Sequence, residues 1–503
     1  MVFFVLFALL ALCSGQTALP GRTLWPSYGG SASRPSSSSL LGPSGALVHS
    51  WKYTFSAGIG GSAIVDSLGN VYIGTSDWSL YKFNKTGGIV WKFGSGNQIY
   101  SAATLSWDES VVYSGSSDGK FYGINASSGA KLWQAPIGGC CSPGYPKASA
   151  LDASGAVYFT ASSSVAWALN GSSGGVLWTV TLAVGSLSSP AFFNGTVFIG
   201  SASAVFALNA STGKQVWNFT TAAALSAPAI DEATGTVVLG GANKLVYALS
   251  ASVGKLVWNV TTGGAVTAKP AVSPLGGVFV GSADRKLWPF NISTGALLWA
   301  PYVTLNTITA DPIVAADNTV FLSSTDSNIY GLNGATGALV LQVFSTPLSA
   351  AFVLGTNRSI IGNFGSTLVK LNSQCYAGSF GVNGTFPCSS CNAGFFSAAG
   401  ADSCTLCPVG TFSPTTNSAS CQQCPGGHYC PAGTSSWARL NCGPGNYCPD
   451  GSGAPTPCPY QVPPVGGWGA LQVQGPAFLM ETARCLNHCF WNFTSGDGML
   501  SKC

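Results

Sequence analysis

One pattern returns seven times along the chain and decides what it can fold into. An apolar pair with glycine leads to a polar turn and an aromatic-rich strand. Asn, Ser or Thr and Gly follow, then a strand ending in Trp. It reads VYIGTSDWSLYKFNKTGGIVW at 71–91, VYSGSSDGKFYGINASSGAKLW at 112–133 and VFIGSASAVFALNASTGKQVW at 197–217. The markers Trp51, Trp91, Trp133, Trp178, Trp217, Trp258 and Trp299, followed by Leu341, recur every 39 to 45 residues. That period is the size of a four-stranded propeller blade. Only 7% of residues are charged and 65 are Gly, which suits short strands joined by tight turns rather than helices.

The ends of the array predict how it closes. Before the first copy stands VHSWKYTF at 48–55, a lone fourth strand with Trp51 in the marker position. After the seventh copy, residues 349–372 supply three strands and no fourth. Joining the two gives an all-β, eight-bladed propeller over 47–373, closed by N-terminal strand exchange, which removes the exposed strand edges an open ring would keep. Asp77, Asp118, Asp284 and Asp326 fall in the hairpin turns between second and third strands, where a carboxylate bonds local backbone.

These repeats resemble the PQQ-like β-propeller repeat of quinoprotein alcohol dehydrogenases and of the bacterial outer-membrane assembly lipoprotein. The most specific part is x-Leu-Asn-x-x-Thr-Gly-x-x-x-Trp, as in Leu208, Asn209, Thr212, Gly213 and Trp217. The resemblance implies that each Trp packs between neighbouring blades and each Gly makes the turn before it. It identifies a fold and leaves the activity open.

Quinoprotein alcohol dehydrogenases carry an adjacent cysteine pair that stacks on the cofactor, and Cys140-Cys141 stands at a similar place relative to a blade. The resemblance would then require a Glu and an Asn for Ca²⁺, an Asp base and an Arg near the quinone. At the starts of the innermost strands only Lys269 and Asp311 are charged, in the same column of adjacent blades, and an ion pair between them accounts for both. PQQ with Ca²⁺ therefore stands as the alternative cofactor reading, with none expected. Cys140 and Cys141 read instead as a structural vicinal disulfide, or as two cysteines paired elsewhere. With three His in the chain, two of them in the Cys-rich tail, no catalytic triad or multi-His site is assembled within the propeller, and no catalytic or metal residue is assigned.

Residues 1–15 read as a signal peptide, with an apolar core from Val2 to Leu12 too short to span a bilayer. Residues 16–46 form a Ser/Pro/Gly-rich segment. Eleven Asn-x-Ser/Thr sequons fit a eukaryotic secretory route, at Asn84, Asn125, Asn170, Asn194, Asn209, Asn218, Asn259, Asn291, Asn357, Asn383 and Asn492. The net charge of +4 is spread along the chain without a basic run, which gives no footprint for nucleic acid. No later stretch reads as a transmembrane helix.

Past Asn372 cysteine crowds the sequence: Cys375, Cys388, Cys391, Cys404, Cys407, Cys421, Cys424, Cys430, Cys442, Cys448 and Cys458. Region 374–460 resembles the ephrin-receptor-like and tumour-necrosis-factor-receptor-like cysteine-rich repeats of extracellular proteins. Paired Cys-x-x-Cys units also signal zinc, but an exported chain favours disulfides, with links such as Cys391–Cys404 and Cys407–Cys421 plausible. Residues 461–503 hold Cys485, Cys489 and Cys503 and end without an evident stop, as a fragment of a longer chain would.

Three functions follow. The first is a secreted, non-enzymatic scaffold whose propeller loops and disulfide-rich module bind an extracellular protein or glycan. The second is a PQQ/Ca-dependent alcohol dehydrogenase. The third is a periplasmic scaffold of the outer-membrane-assembly type.

Overall fold

The structure, a computed structural model, describes residues 27, 30–31, 33–43, 46–138, 146–161, 164–182, 185–344, 352–385 and 387–457. They fall into two compact units. One comprises the chain up to Gly42 with Ser50–Lys370, and the other Pro43–His49 with Leu371 onward.

Eight four-stranded sheets make the propeller. Blade 1 runs Ile64–Val65, Val71–Thr75, Ser79–Phe83 and Ile89–Gly94. Blades 2 to 7 begin at Thr104–Leu105, Ala150–Leu151, Ala191–Phe193, Ala229–Asp231, Ala271–Val272 and Ile313–Val314. Blade 8 takes Val353–Gly355, Ser359–Phe364 and Thr367–Ser373 from the end of the array, and Leu47–Thr54 from its front as fourth strand. The ring closes as the orphan strand predicts.

Each blade buries both faces against its neighbours. Between blades 1 and 2 lie Ile64, Tyr72, Leu80 and Trp91 with Leu105, Val112, Tyr122 and Ile124, and separate clusters fill the five interfaces from blade 2 to blade 7. Period-2 alternation puts one apolar row on each face, so no single blade can bury its residues alone.

Blade 6 departs from the repeat. Its fourth strand is only Tyr302–Val303, beyond Trp299. Pro289 occupies the position where blades 2 to 5 place Ala or Gly, and blade 1 places Lys82, opposite the Trp, and it offers no N–H. Pro301 stands two residues beyond Trp299, so a ladder running through Trp299 cannot form there.

The cysteine-rich unit is built from two-stranded sheets such as Phe395–Phe396 with Thr405–Leu406. Its disulfides are Cys375–Cys388, Cys391–Cys404, Cys407–Cys421, Cys424–Cys430 and Cys442–Cys448. Four of those sulfur pairs have a partner with no exposed surface, so cross-links and not aliphatic side chains form this core. Among the described residues no helix is long and apolar enough to cross a membrane.

Candidate functional site

The seams between blades explain the marker residues. Each Trp donates its indole N–H to the carbonyl of the residue after the Asn position of the next blade: Trp91 to Ala126 at 3.0 Å, Trp178 to Ala210 at 2.7 Å and Trp258 to Ile292 at 2.7 Å. Trp51, Trp133, Trp217 and Trp299 make the same bond to Lys85, Gly171, Ala251 and Gly334. The glycine of the turn lies under that ring. Gly213 has φ +70, and a Cβ there would stand 2.8 Å from the Trp178 ring.

The turn itself is held by the Asn. The Asn209 Oδ1 accepts from the N–H groups of Ser211 and Thr212 and from the Thr212 hydroxyl, and Asn84, Asn125, Asn170 and Asn291 close their turns in the same way. Five sequon asparagines therefore share one structural position. Asn218 and Asn259 lie exposed on fourth strands, while Asn194, Asn357 and Asn383 sit in the left-handed region. Asn492 is outside the described residues.

The hairpin aspartates bond their own turns, as Asp118 does with the Lys120 N–H. They also accept from an aromatic side chain four residues on: Tyr81 to Asp77 at 2.6 Å, Tyr330 to Asp326 at 2.8 Å and Trp288 to Asp284 at 3.0 Å. Burial and the Asp326 contact push the Tyr330 hydroxyl up to about 12, so that hydroxyl serves as a neutral donor to Asp326. The Asp-x-x-x-aromatic spacing was readable in the sequence, and it marks structure.

The axis holds what the sequence did not announce. Innermost strands leave one edge of N–H and C=O groups facing the channel, and buried main-chain groups require partners. Residues 33–42 supply them across three successive blades. Ile230, Val272, Val314 and Ala316 donate their N–H groups to the carbonyls of Ser33, Pro35, Ser36 and Leu40, at 3.1, 2.7, 2.8 and 2.9 Å, and Ser38 donates back to Val314. Arg34 has no exposed surface, and its Nη2 donates to the Ala148 carbonyl of blade 3 at 2.8 Å.

Lys269, 1% exposed, donates from Nζ to the Arg34 carbonyl at 3.1 Å and to the Ser36 hydroxyl. Asp311 accepts the Lys269 main-chain N–H at 2.8 Å. Burial pushes the Lys269 ammonium down to about 7, with Asp311 opposing and Arg34 reinforcing the shift. The shared column of Lys269 and Asp311 thus brings them together, but the lysine side chain is turned onto the N-terminal segment. Cys140 and Cys141 lie outside the described residues, as does Cys458. Among the described residues no three His, Cys, Asp or Glu side chains converge on a possible metal position.

The comparisons agree with this architecture. The family model described as outer membrane protein assembly factor BamB matches residues 40–167, 161–238 and 232–351. The model described as tyrosine-protein kinase ephrin type A/B receptor-like matches 394–442. No curated protein sequence matches the chain. Among solved structures, the computationally designed Ika8 protein is 18% identical, covering 63% of this chain and 96% of its own, with a TM-score of 0.56. The quinohemoprotein alcohol dehydrogenase of Comamonas testosteroni is 12% identical over 69% of this chain and 80% of its own, TM-score 0.58. BamB of Moraxella catarrhalis is 14% identical over 65% of this chain and 99% of its own, TM-score 0.54. At these identities the structures share a fold.

Proposed function

The chain belongs to the BamB-type family of β-propeller repeat proteins, extended by an ephrin-receptor-like cysteine-rich region, and on that premise we propose that it is a secreted, non-enzymatic interaction scaffold. The observation that carries this reading is the occupation of the axis by residues 33–42. A quinone and Ca²⁺ at the axis need a polyanion pocket and six to eight oxygen ligands. The described residues there do not fit that group. The cations Arg34 and Lys269 are buried and bonded to the chain itself, and the Asp311 carboxylate receives the Lys269 N–H.

Five disulfides in one short module fit an oxidising, extracytoplasmic compartment. Recognition then falls to the blade loops and the cysteine-rich module, with an extracellular protein or glycan as partner. The alternative, a quinoprotein alcohol dehydrogenase, draws support from Cys140-Cys141 and from the shared propeller fold.

The two readings separate in one assay. The secreted protein is mixed with PQQ and Ca²⁺, passed over gel filtration and tested for alcohol-dependent dye reduction. The scaffold reading expects the quinone to elute free and no dye to be reduced. Stoichiometric retention with turnover overturns it.

A further inference from the structure

Residues 33–42 bind the propeller in the way a separate peptide would. Their grip is mostly main chain to strand edge, the mode by which sheets take up extra polypeptide. Only two of their side chains are read. Arg34 crosses the channel to the Ala148 carbonyl, and Ser36 meets Lys269. Ser33 and Gly42 anchor the ends in buried positions, and between them Ser39 and Leu41 are exposed while Pro35, Ser37, Ser38 and Leu40 are half-buried. Arg34 and Ser36 carry φ of 55 and 52, left-handed for two residues that are not glycine. Such a conformation persists only where its surroundings impose it, and it weakens the segment's hold.

We propose that the axial channel is a binding site for a short, arginine-bearing peptide, and that residues 33–42 occupy it in cis. The strand edges of blades 5, 6 and 7 recognise the peptide carbonyls, and Lys269 adds one further carbonyl and a hydroxyl. The blade 3 carbonyl of Ala148 selects the arginine, since a guanidinium reaching across the axis is the donor that fits it. A partner peptide of this chemistry competes with the segment, so the channel is closed until such a partner is present. The inference rests on the scaffold reading, because it assigns the axis to recognition and not to chemistry.

The test uses the full chain with residues 33–42 replaced by Gly and Ser, and a fluorescein-labelled synthetic peptide of residues 31–42. Saturable one-to-one binding is expected, weakened at least about tenfold when the peptide arginine is alanine. The unaltered chain should bind the peptide at least about tenfold more weakly than the replaced chain, because its site is filled. Near-ultraviolet circular dichroism of the buried tryptophans reports whether the replaced chain is folded. A folded chain that does not bind, or that binds both peptides equally, overturns the proposal.

If the replaced chain does not fold, Arg34→Ala in the otherwise intact chain gives the reading. Gain of peptide binding over the unaltered chain supports an exchangeable segment, and no gain overturns it. Quinone turnover in the separate dye assay would remove the scaffold reading, while the peptide titration stands or falls by its own result.

Discussion

The indole N–H of Trp178 meets the carbonyl of Ala210 at 2.7 Å, across the seam between blades 3 and 4. The bond is buried and recurs at six other seams, so the ring is stitched by one repeated donor and acceptor. Trp178→Phe keeps most of the apolar area but leaves that carbonyl without its donor. The expected loss is about 1–2 kcal/mol, read as a lower denaturation midpoint. Trp51→Phe should cost less, because its bond to Lys85 is exposed.

The turn glycines give a paired prediction. Gly213→Ala places a methyl 2.8 Å from the Trp178 ring at φ +70, whereas Gly195, at φ +71, has nothing within 4 Å of an added Cβ. Both substitutions strain the backbone, by about 1–2 kcal/mol. Only Gly213→Ala adds overpacking, about 1–3 kcal/mol more. Thermal melts of the two variants should differ accordingly, and equal melts would show that the ring contact is slack.

Lys269 makes stability depend on pH. Its folded-state pKa lies near 7 against an ordinary 10.5. Between those values the unfolded chain holds a proton that the folded chain lacks, so this residue makes the fold more stable as pH rises through that window. Below about pH 7 both states are protonated and its contribution is flat. Lys269→Met should therefore show a shallower rise in melting temperature from neutral to alkaline pH. Parallel profiles for the two chains would contradict the assignment.

Reduction should act on one unit. The cysteine-rich module closes loops of 13, 13, 14, 6 and 6 residues with disulfides, and small domains with such cross-links depend on them. Mild reductant should speed proteolysis within 375–457 while the blade tryptophans keep their fluorescence. Loss of both signals together would mean that the propeller depends on the disulfides.

Carbohydrate provides a further check. Asn84, Asn125, Asn170, Asn209 and Asn291 present the same turn on five blades. Treatment of the secreted protein with peptide-N-glycosidase should raise its mobility, and no shift would count against occupied sequons.

The ring was legible in the sequence because its repeats use side chains with one physical job each. Trp217 needs a flat neighbour, Gly254 provides it, and that spacing repeats. The eighth blade was legible from the orphan strand at Trp51 and the three unfinished strands of residues 349–372. The broken fourth strand of blade 6 could have been read from Pro289 and Pro301.

The occupant of the axis could not be read in this way. Ser33, Pro35 and Leu40 act through main-chain carbonyls, which leave no residue signature. Their stretch has no periodicity to separate it from a linker. The available hint was Arg34, a lone charge in a chain with very few, and its burial shows only in three dimensions. Lys269 was visible as an inner charge, but its contact with Arg34 links residues 235 positions apart.

Hydrogen exchange tests the self-occupied axis most directly. The amides of Ile230, Val272, Val314 and Ala316 should be protected in the full chain. They should exchange fast when residues 33–42 are replaced by Gly and Ser, while the interior amide of Leu239 stays protected in both. Fast exchange of those four amides in the unaltered chain would contradict the account.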